Sequence, residues 1–292
     1  MISDARSHPA DVAAILVEAL PYIREFAGSV VVVKFGGNAL AGSEDPDAAL
    51  ASFADDIVLL RSVGLLPVVV HGGGPQIAEL LGRLGIRSEF RDGLRVTDAE
   101  TLEIARMVLV GKVNSEIVSA INVHGPLAVG LSGIDANLIR ADALHEDLGF
   151  VGNITDIDPT IITRLLAQGL IPVVATVGAD LLGQAYNINA DTVAGALAAS
   201  LGAAKLVVLS DVDGIRRDPA DASSTIAKIT ADQLDELVRN GTAGGGMAPK
   251  AQACASAVRA GVAAAHLLDG RVAHAVLLEL FTDSGVGTMV TP

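Results

Sequence analysis

Residues 30–37, VVVVKFGG, constrain the fold more than any other stretch. Four β-branched residues in succession leave no polar face. They suit a strand buried on both sides, as in a parallel sheet. Lys34 and Phe35 follow, then Gly36 and Gly37. In open α/β sheets, ligands bind in the crevice beyond the carboxyl ends of the strands. A lysine there, followed by two residues without side chains, offers an anion an ammonium group and closely approaching backbone N–H groups. A surface lysine and a plain turn would use the same residues, so this stretch alone leaves both readings open.

The same grammar recurs along the chain. Residues 66–70 read as a second buried strand and end in His71-Gly72-Gly73-Gly74-Pro75. This is an anion nest at a helix start, or a glycine-rich tight turn. Residues 205–210 form another buried strand, followed by Asp211-Val212-Asp213-Gly214. Further strands are predicted over 127–131, 170–176 and 263–268, with a short last one in the tail. Helices are predicted over 47–63, from an Asp98 cap to about 123, and over 159–168, 191–201 and 231–239; short hairpins are expected within 135–153. Asp191, after Tyr186-Asn187-Ile188-Asn189-Ala190, falls in a helix's first turn, where the dipole favours a carboxylate. A plain helix cap is the alternative. A third polyglycine stretch, 244–246, leads into a helix carrying Lys250 and Cys254. A cation at a helix start is disfavoured by the dipole, so Lys250 calls for a nearby anion, such as a phosphate. Strand and helix in alternation predict an α/β fold, a mostly parallel central sheet with helices on both faces.

Residues 10–27 carry apolar side chains at helical spacing, with Val12, Ile15, Leu16, Ala19, Ile23 and Phe26 on one stripe. Pro21 is expected to kink this helix. It packs on its own domain or docks on another subunit; periodicity is compatible with both.

Composition narrows the function classes. With 20 Lys and Arg against 34 Asp and Glu, the formal net charge is −14, which argues against a broad nucleic-acid surface. Charges and glycines interrupt every apolar run before membrane-spanning length. The N-terminus lacks a signal-peptide pattern, and a lone Cys254 points to a reducing compartment, the cytoplasm. The chain has no Walker A loop, no G-x-G-x-x-G after the first strand, no zinc-spaced Cys/His cluster and no G-x-S-x-G elbow. Three glycine loops, two distant lysines, one loop arginine (Arg95) and an Asn/Asp cluster remain. That set suits phosphoryl transfer to an acceptor that is already ionised. A carboxylate needs no general base, and the task is to bring anions together and neutralise them.

Seven segments, VVVVKFGGNAL, VVVHGGGPQI, DGLRVTDAE, YNINADTVA, LSDVDGI, GGGMAPK and LLELFTDSGVGT, appear in this order. Together they resemble the amino acid kinase family, in the arginine-inhibited branch that phosphorylates N-acetyl-L-glutamate, along essentially the whole chain. The resemblance implies a single domain over 1–292, a three-layer α/β/α sandwich. Within it, 28–202 would form the acceptor lobe, 203–292 the nucleotide lobe, and 9–27 an oligomerisation helix. It implies Lys34 and Lys250 as transition-state cations oriented by Asp191, with Gly37 and Gly73 as backbone donors to phosphoryl oxygens. Gly73, Gly74, Arg95 and Asn187 would hold the acid. Ser210, Asp211, Gly214, Arg216, Thr242, Gly246 and Met247 would hold ATP, whose phosphates carry Mg²⁺. Tyr22, His274, Glu279, Gly285 and Gly287 would form a site for inhibitory L-arginine, and the assembly would be a hexamer built as a trimer of dimers. Where the family pattern implies a polar residue, Ile134 stands in Gly133-Ile134-Asp135-Ala136. A kinase for a homologous acid such as N-acetyl-aminoadipate, and a non-catalytic arginine sensor, are the other readings; a sensor would not need Lys34, Asp191 and Lys250.

Overall fold

A computed structural model of the chain describes residues 9–37, 45–91, 93–218, 220–282 and 285–292. Asn38, Ala39 and Leu40 of the first segment, Asp92, and Asp283 and Ser284 of the tail lie outside the described residues. In chain order the strands are β1 (Val30–Phe35), β2 (Leu66–His71), β3 (Phe90–Arg91), β4 (Leu94–Arg95), β5 (Ala128–Ser132), β6 (Ile139–Ala143) and β7 (Gly152–Ile157). They continue with β8 (Ile171–Ala175), β9 (Val177–Ala179), β10 (Ala185–Asn187), β11 (Lys205–Ser210), β12 (Lys228–Thr230), β13 (Ala264–Asp269) and β14 (Thr288–Thr291). Eight make one sheet, ordered β12-β14-β13-β11-β1-β2-β8-β5. Its pairings are parallel except that of β13 with β14.

The valine run lies inside this sheet, between β2 and β11, with Val31, Val32 and Val33 fully buried. Side chains along a strand alternate between faces. Val31, Val33 and Phe35 pack into one layer with Phe53, Ile57, Leu109, Ile117 and Ile121. Val32 packs into the other, with Val193, Leu197, Cys254 and Val258. Lys34 therefore points to the second layer, where helices Ala190–Ser200 and Met247–Arg259 lie. The layers on both faces match the α/β expectation.

One helix differs from the sequence reading. The long helix begins under an Asp98 cap, which accepts from the Thr101 N–H. It is not uniform: Ala99–Arg106 and Asn114–Asn122 are α-helical, and Met107–Val113 between them is π-helical. The N-terminal helix runs continuously from Pro9 to Phe26 through Pro21. On its periodic stripe Ile15 and Leu16 are exposed, as are Val17 and Leu20 beside it, while Tyr22 and Phe26 pack on the domain. No helix of the described residues is long and apolar enough to cross a membrane.

Helices Ala190–Ser200 and Met247–Arg259 approach closely at Gly195, where an added Cβ would stand 3.0 Å from the Ala253 carbonyl oxygen. The obstacle is backbone, so it cannot rotate away. Gly195→Val is expected to cost about 1–3 kcal/mol of stability, read as a melting temperature lowered by roughly 2–4 °C per kcal/mol.

Candidate active site

The loops leaving β1, β2 and β11 converge because these strands are neighbours. A cavity of about 500 Å³ opens among them. At its base, Lys34 Nζ lies 2.9 Å from Asp191 Oδ1, and Lys250 Nζ lies 3.6 Å from Asp191 Oδ2. The side chains of Lys34 and Asp191 are 7% and 6% exposed, and that of Lys250 is 17% exposed. Charge and hydrogen bonding from both ammonium groups hold the carboxylate in place. Asp191 stands in the first turn of its helix. Asn189 caps that turn, its Oδ1 accepting from the N–H groups of Asp191 and Thr192. Burial works to raise the Asp191 pKa, but the two ammonium groups outweigh it and hold the carboxyl below its ordinary value. Lys250 sits in the first turn of its own helix and donates to the Gly246 carbonyl at 3.2 Å. The anion its position called for is Asp191. Two cations around one carboxylate leave one positive charge facing the cavity.

The glycines let the loops meet. A Cβ at Gly37 would lie 2.8 Å from Gln76 Oε1 and 2.9 Å from Pro75 Cδ, and one at Gly73 would lie 2.9 Å from Leu109 Cδ2. Gly36 leaves room for the Lys34 ammonium, which would be 3.1 Å from a Cβ there. Backbone from two loops thus borders the lysines with no side chain between.

Arg95 enters the same cavity from the β3–β4 hairpin. It is 7% exposed. Its Nη2 donates to the Gly74 carbonyl at 2.9 Å, its Nη1 donates to Ser88 Oγ, and its guanidinium lies 4.6 Å from the Phe90 ring centroid. Burial lowers its pKa. Among the described residues no carboxylate is within ion-pair distance of it. Its guanidinium lines the cavity, where its planar fork can take an anionic ligand. Asn187, at the end of β10, also lines the cavity, with Nδ2 donating to Thr97 Oγ1 at 3.4 Å.

Of the nucleotide-side candidates, Ser210 and Asp211 line the cavity, with Ser210 Oγ donating to Asp211 Oδ1 at 3.1 Å. Gly214, Arg216, Thr242, Gly246 and Met247 do not. Gly214 is packed against Thr288 with φ +142°, Arg216 Nη2 donates to Asp213 Oδ1 at 3.0 Å, and Met247 leans on the second core layer. Tyr22, His274, Glu279, Gly285 and Gly287 also stand apart from the cavity. Glu279 gathers two of the others, because its Oε2 accepts from the Val286 N–H at 2.7 Å, close beside Gly285 and Gly287. Its Oε1 meets His266 Nδ1 at 2.6 Å. Burial tends to raise the Glu279 pKa, but these partners lower it overall. His274, in a left-handed conformation at φ 58°, turns instead to Asp56 Oδ1 at 2.6 Å. Burial pushes Asp56 up to about 6 against the pull of that histidine. Ile134 lies outside the cavity, half-buried beside Met107 and Val110, so its apolar side chain does not touch the site.

Phe90, Leu109 and Thr176 line the cavity without having been sequence candidates. The Gly93 turn between two short β segments is a signal for Phe90. Leu109 carries none, since its direction depends on the π-helical stretch.

Comparison with known proteins settles the lineage. The amino acid kinase family model matches residues 29–269. The chain belongs to the amino acid kinase family. It is 52% identical to the acetylglutamate kinase of Symbiobacterium thermophilum, over 96% of this chain and 97% of that one. It is 54% identical to the acetylglutamate kinase of Acidothermus cellulolyticus, over 96% of each. Among solved structures, the N-acetylglutamate synthase of Neisseria gonorrhoeae complexed with coenzyme A and N-acetyl-glutamate superposes with TM-score 0.84 at 27% identity, covering 96% of this chain. This chain spans only 63% of that longer protein. The same synthase complexed with coenzyme A and L-arginine gives TM-score 0.81 at 28% identity, covering 96% of this chain and 65% of that one.

On the role the family resemblance implies for them, charge stabilisation in the transition state, Lys34→Ala and Lys250→Ala are each expected to lower kcat by about 10²–10³-fold with much smaller changes in KM. Steady-state kinetics check this, and an unchanged kcat in either variant refutes the assignment.

Proposed function

We propose that this chain transfers the γ-phosphoryl group of ATP to the side-chain carboxylate of N-acetyl-L-glutamate, forming N-acetyl-L-glutamate 5-phosphate for arginine synthesis. The observation that carries the reading is the Lys34–Asp191–Lys250 trio beside two side-chain-free loops, in one cavity with Arg95. High identity to acetylglutamate kinases along nearly the full chain supports the choice of acid.

The acid brings two carboxylates. One pairs with the Arg95 guanidinium, whose planar fork suits it, while Gly73, Gly74 and Asn187 hold the rest of the molecule. The side-chain carboxylate oxygen attacks the γ-phosphorus; the bond from phosphorus to the ADP oxygen breaks, and ADP leaves with the electron pair. The nucleophile is ionised already, so no proton needs removing. Charge spreads over the phosphoryl oxygens and onto the leaving oxygen. Lys34, Lys250 and the N–H groups of Gly37 and Gly73 neutralise it in place, and Asp191 keeps both ammonium groups at their stations. Mg²⁺ arrives on the ATP phosphates. ATP lies toward 203–292, against Ser210 and Asp211, with Gly214, Arg216, Thr242, Gly246 and Met247 shaping the loops around it; the acid lies toward 28–202. The enzyme works in the cytoplasm.

L-Arginine inhibits the enzyme at the surface around Tyr22, Glu279, Gly285 and Gly287, with His274 at the far end of the same short helix. The related synthase complexed with L-arginine supports this, and so does the packing of the N-terminal helix against helix Ala275–Phe281. The exposed apolar side chains of helix Pro9–Phe26 join dimers into a hexamer.

ATP-dependent acyl phosphate, trapped as a hydroxamate, tests the reaction. Turnover is expected with N-acetyl-L-glutamate and far less with N-acetyl-aminoadipate; none with either acid refutes the reading. In the same assay Arg95→Ala should raise KM for the acid by about 10- to 100-fold with a smaller effect on kcat. Removing the residues before Val30 should give active dimers with a weakened arginine response. Light scattering and inhibition curves check this, and a truncated chain that is still hexameric rejects the helix as the joint.

A further inference from the structure

His71 and Asn114 are polar residues buried in the apolar layer on the side of the sheet away from Asp191, and neither lines the cavity. His71 is the last residue of β2, directly ahead of Gly72, Gly73 and Gly74. Its Nδ1 lies 3.0 Å from the Gly72 carbonyl oxygen. A carbonyl only accepts, so Nδ1 carries the proton. Its Nε2 lies 2.9 Å from Asn114 Nδ2, which also donates to the Val173 carbonyl at 2.9 Å. That second carbonyl identifies the NH₂ end of the amide, so Nε2 must be the bare acceptor. Two main-chain carbonyls thus leave the ring one tautomer. Burial pushes the His71 pKa down to about 4, which keeps the ring neutral. Asn114 has a prepared seat. It is the first residue after the π-helical stretch, and any Cβ at residue 130 would overlap its Oδ1, so Gly130 is required.

Carbonyl and N–H of one trans peptide point in opposite directions. Holding the Gly72 carbonyl toward His71 turns the Gly73 N–H away from the ring. We propose that His71 and Asn114 are positioning residues: their hydrogen-bonded relay, anchored on the Val173 carbonyl, locks the Gly72–Gly73 peptide so that the Gly73 N–H is aimed at the transferring phosphoryl group. This rests on the reading of Gly73 as a phosphoryl donor. A glycine peptide has wide conformational freedom, and the relay removes it before substrate arrives.

The test has two arms. Full-length protein labelled with ¹⁵N-histidine is observed by long-range ¹H–¹⁵N NMR, with the His71 signals assigned by their loss in His71→Gln. The expected spectrum shows protonated Nδ1, bare Nε2 and no titration between about pH 6 and 8. A protonated Nε2, or titration in that range, overturns the relay whatever the substrate is. In kinetics, His71→Asn keeps an N–H for the Gly72 carbonyl, while His71→Gln keeps only the Nε2 end. His71→Gln should lower kcat at least about tenfold with KM for ATP within about twofold, and His71→Asn should restore kcat to within about threefold of wild type. Equal loss in both variants, or an unchanged kcat in His71→Gln, refutes positioning. Wild-type enzyme inactive on N-acetyl-L-glutamate would sink the proposed reaction while leaving the tautomer result standing.

Discussion

The structure turns on one carboxylate shared by two ammonium groups. Asp191, Lys34 and Lys250 come from distant parts of the chain, and they meet only when β1, helix Ala190–Ser200 and helix Met247–Arg259 are packed together. Each of these groups would be expensive to bury alone. The interaction therefore couples catalytic geometry to the folding of the second core layer. It also explains why the helix contact at Gly195 is so close: a wider spacing would carry Lys250 away from its anion.

The electrostatics are local by necessity. A chain with net charge −14 cannot draw anionic substrates in by its overall field. The cations that matter are nearly buried, where solvent and salt screen them least. Lys34 and Lys250 share one carboxylate, and Arg95 has none among the described residues. The paired cations stay in register through Asp191, while Arg95 lines the same cavity from another hairpin.

Much of this was legible in the sequence, for identifiable reasons. β11 spans Lys205–Ser210 and a helix spans Ala231–Arg239, both as predicted, because a continuous apolar run and a Thr230/Gln233 capping box mark their bounds. The placement of Lys34 followed from its position at the carboxyl end of a buried strand, and the helix dipole called for an anion beside Lys250, while Asp191 as that anion came from the family resemblance alone. The rest depended on tertiary context. A π-helical stretch leaves no mark in apolar spacing, so Leu109 and Asn114 were invisible as site-shaping residues. The stripe on the N-terminal helix is real, but periodicity gives no partner, and Ile15 and Leu16 on it are exposed. Loop candidates such as Arg216, after β11, and Thr242, after the helix Ala231–Arg239, came from the resemblance, because the course of a loop is not written in apolar spacing.

Cys254 adds a consequence of the shared carboxylate. The thiol is buried in the second layer, and burial, helped by the negative charge of Asp191, pushes its pKa up to about 12. A thiol must ionise to react, so this one is chemically silent while the layer is closed. With no other cysteine in the chain, its labelling rate gauges how often the two helices come apart. The enzyme thus carries a built-in meter for the opening free energy of the layer that holds its charges together.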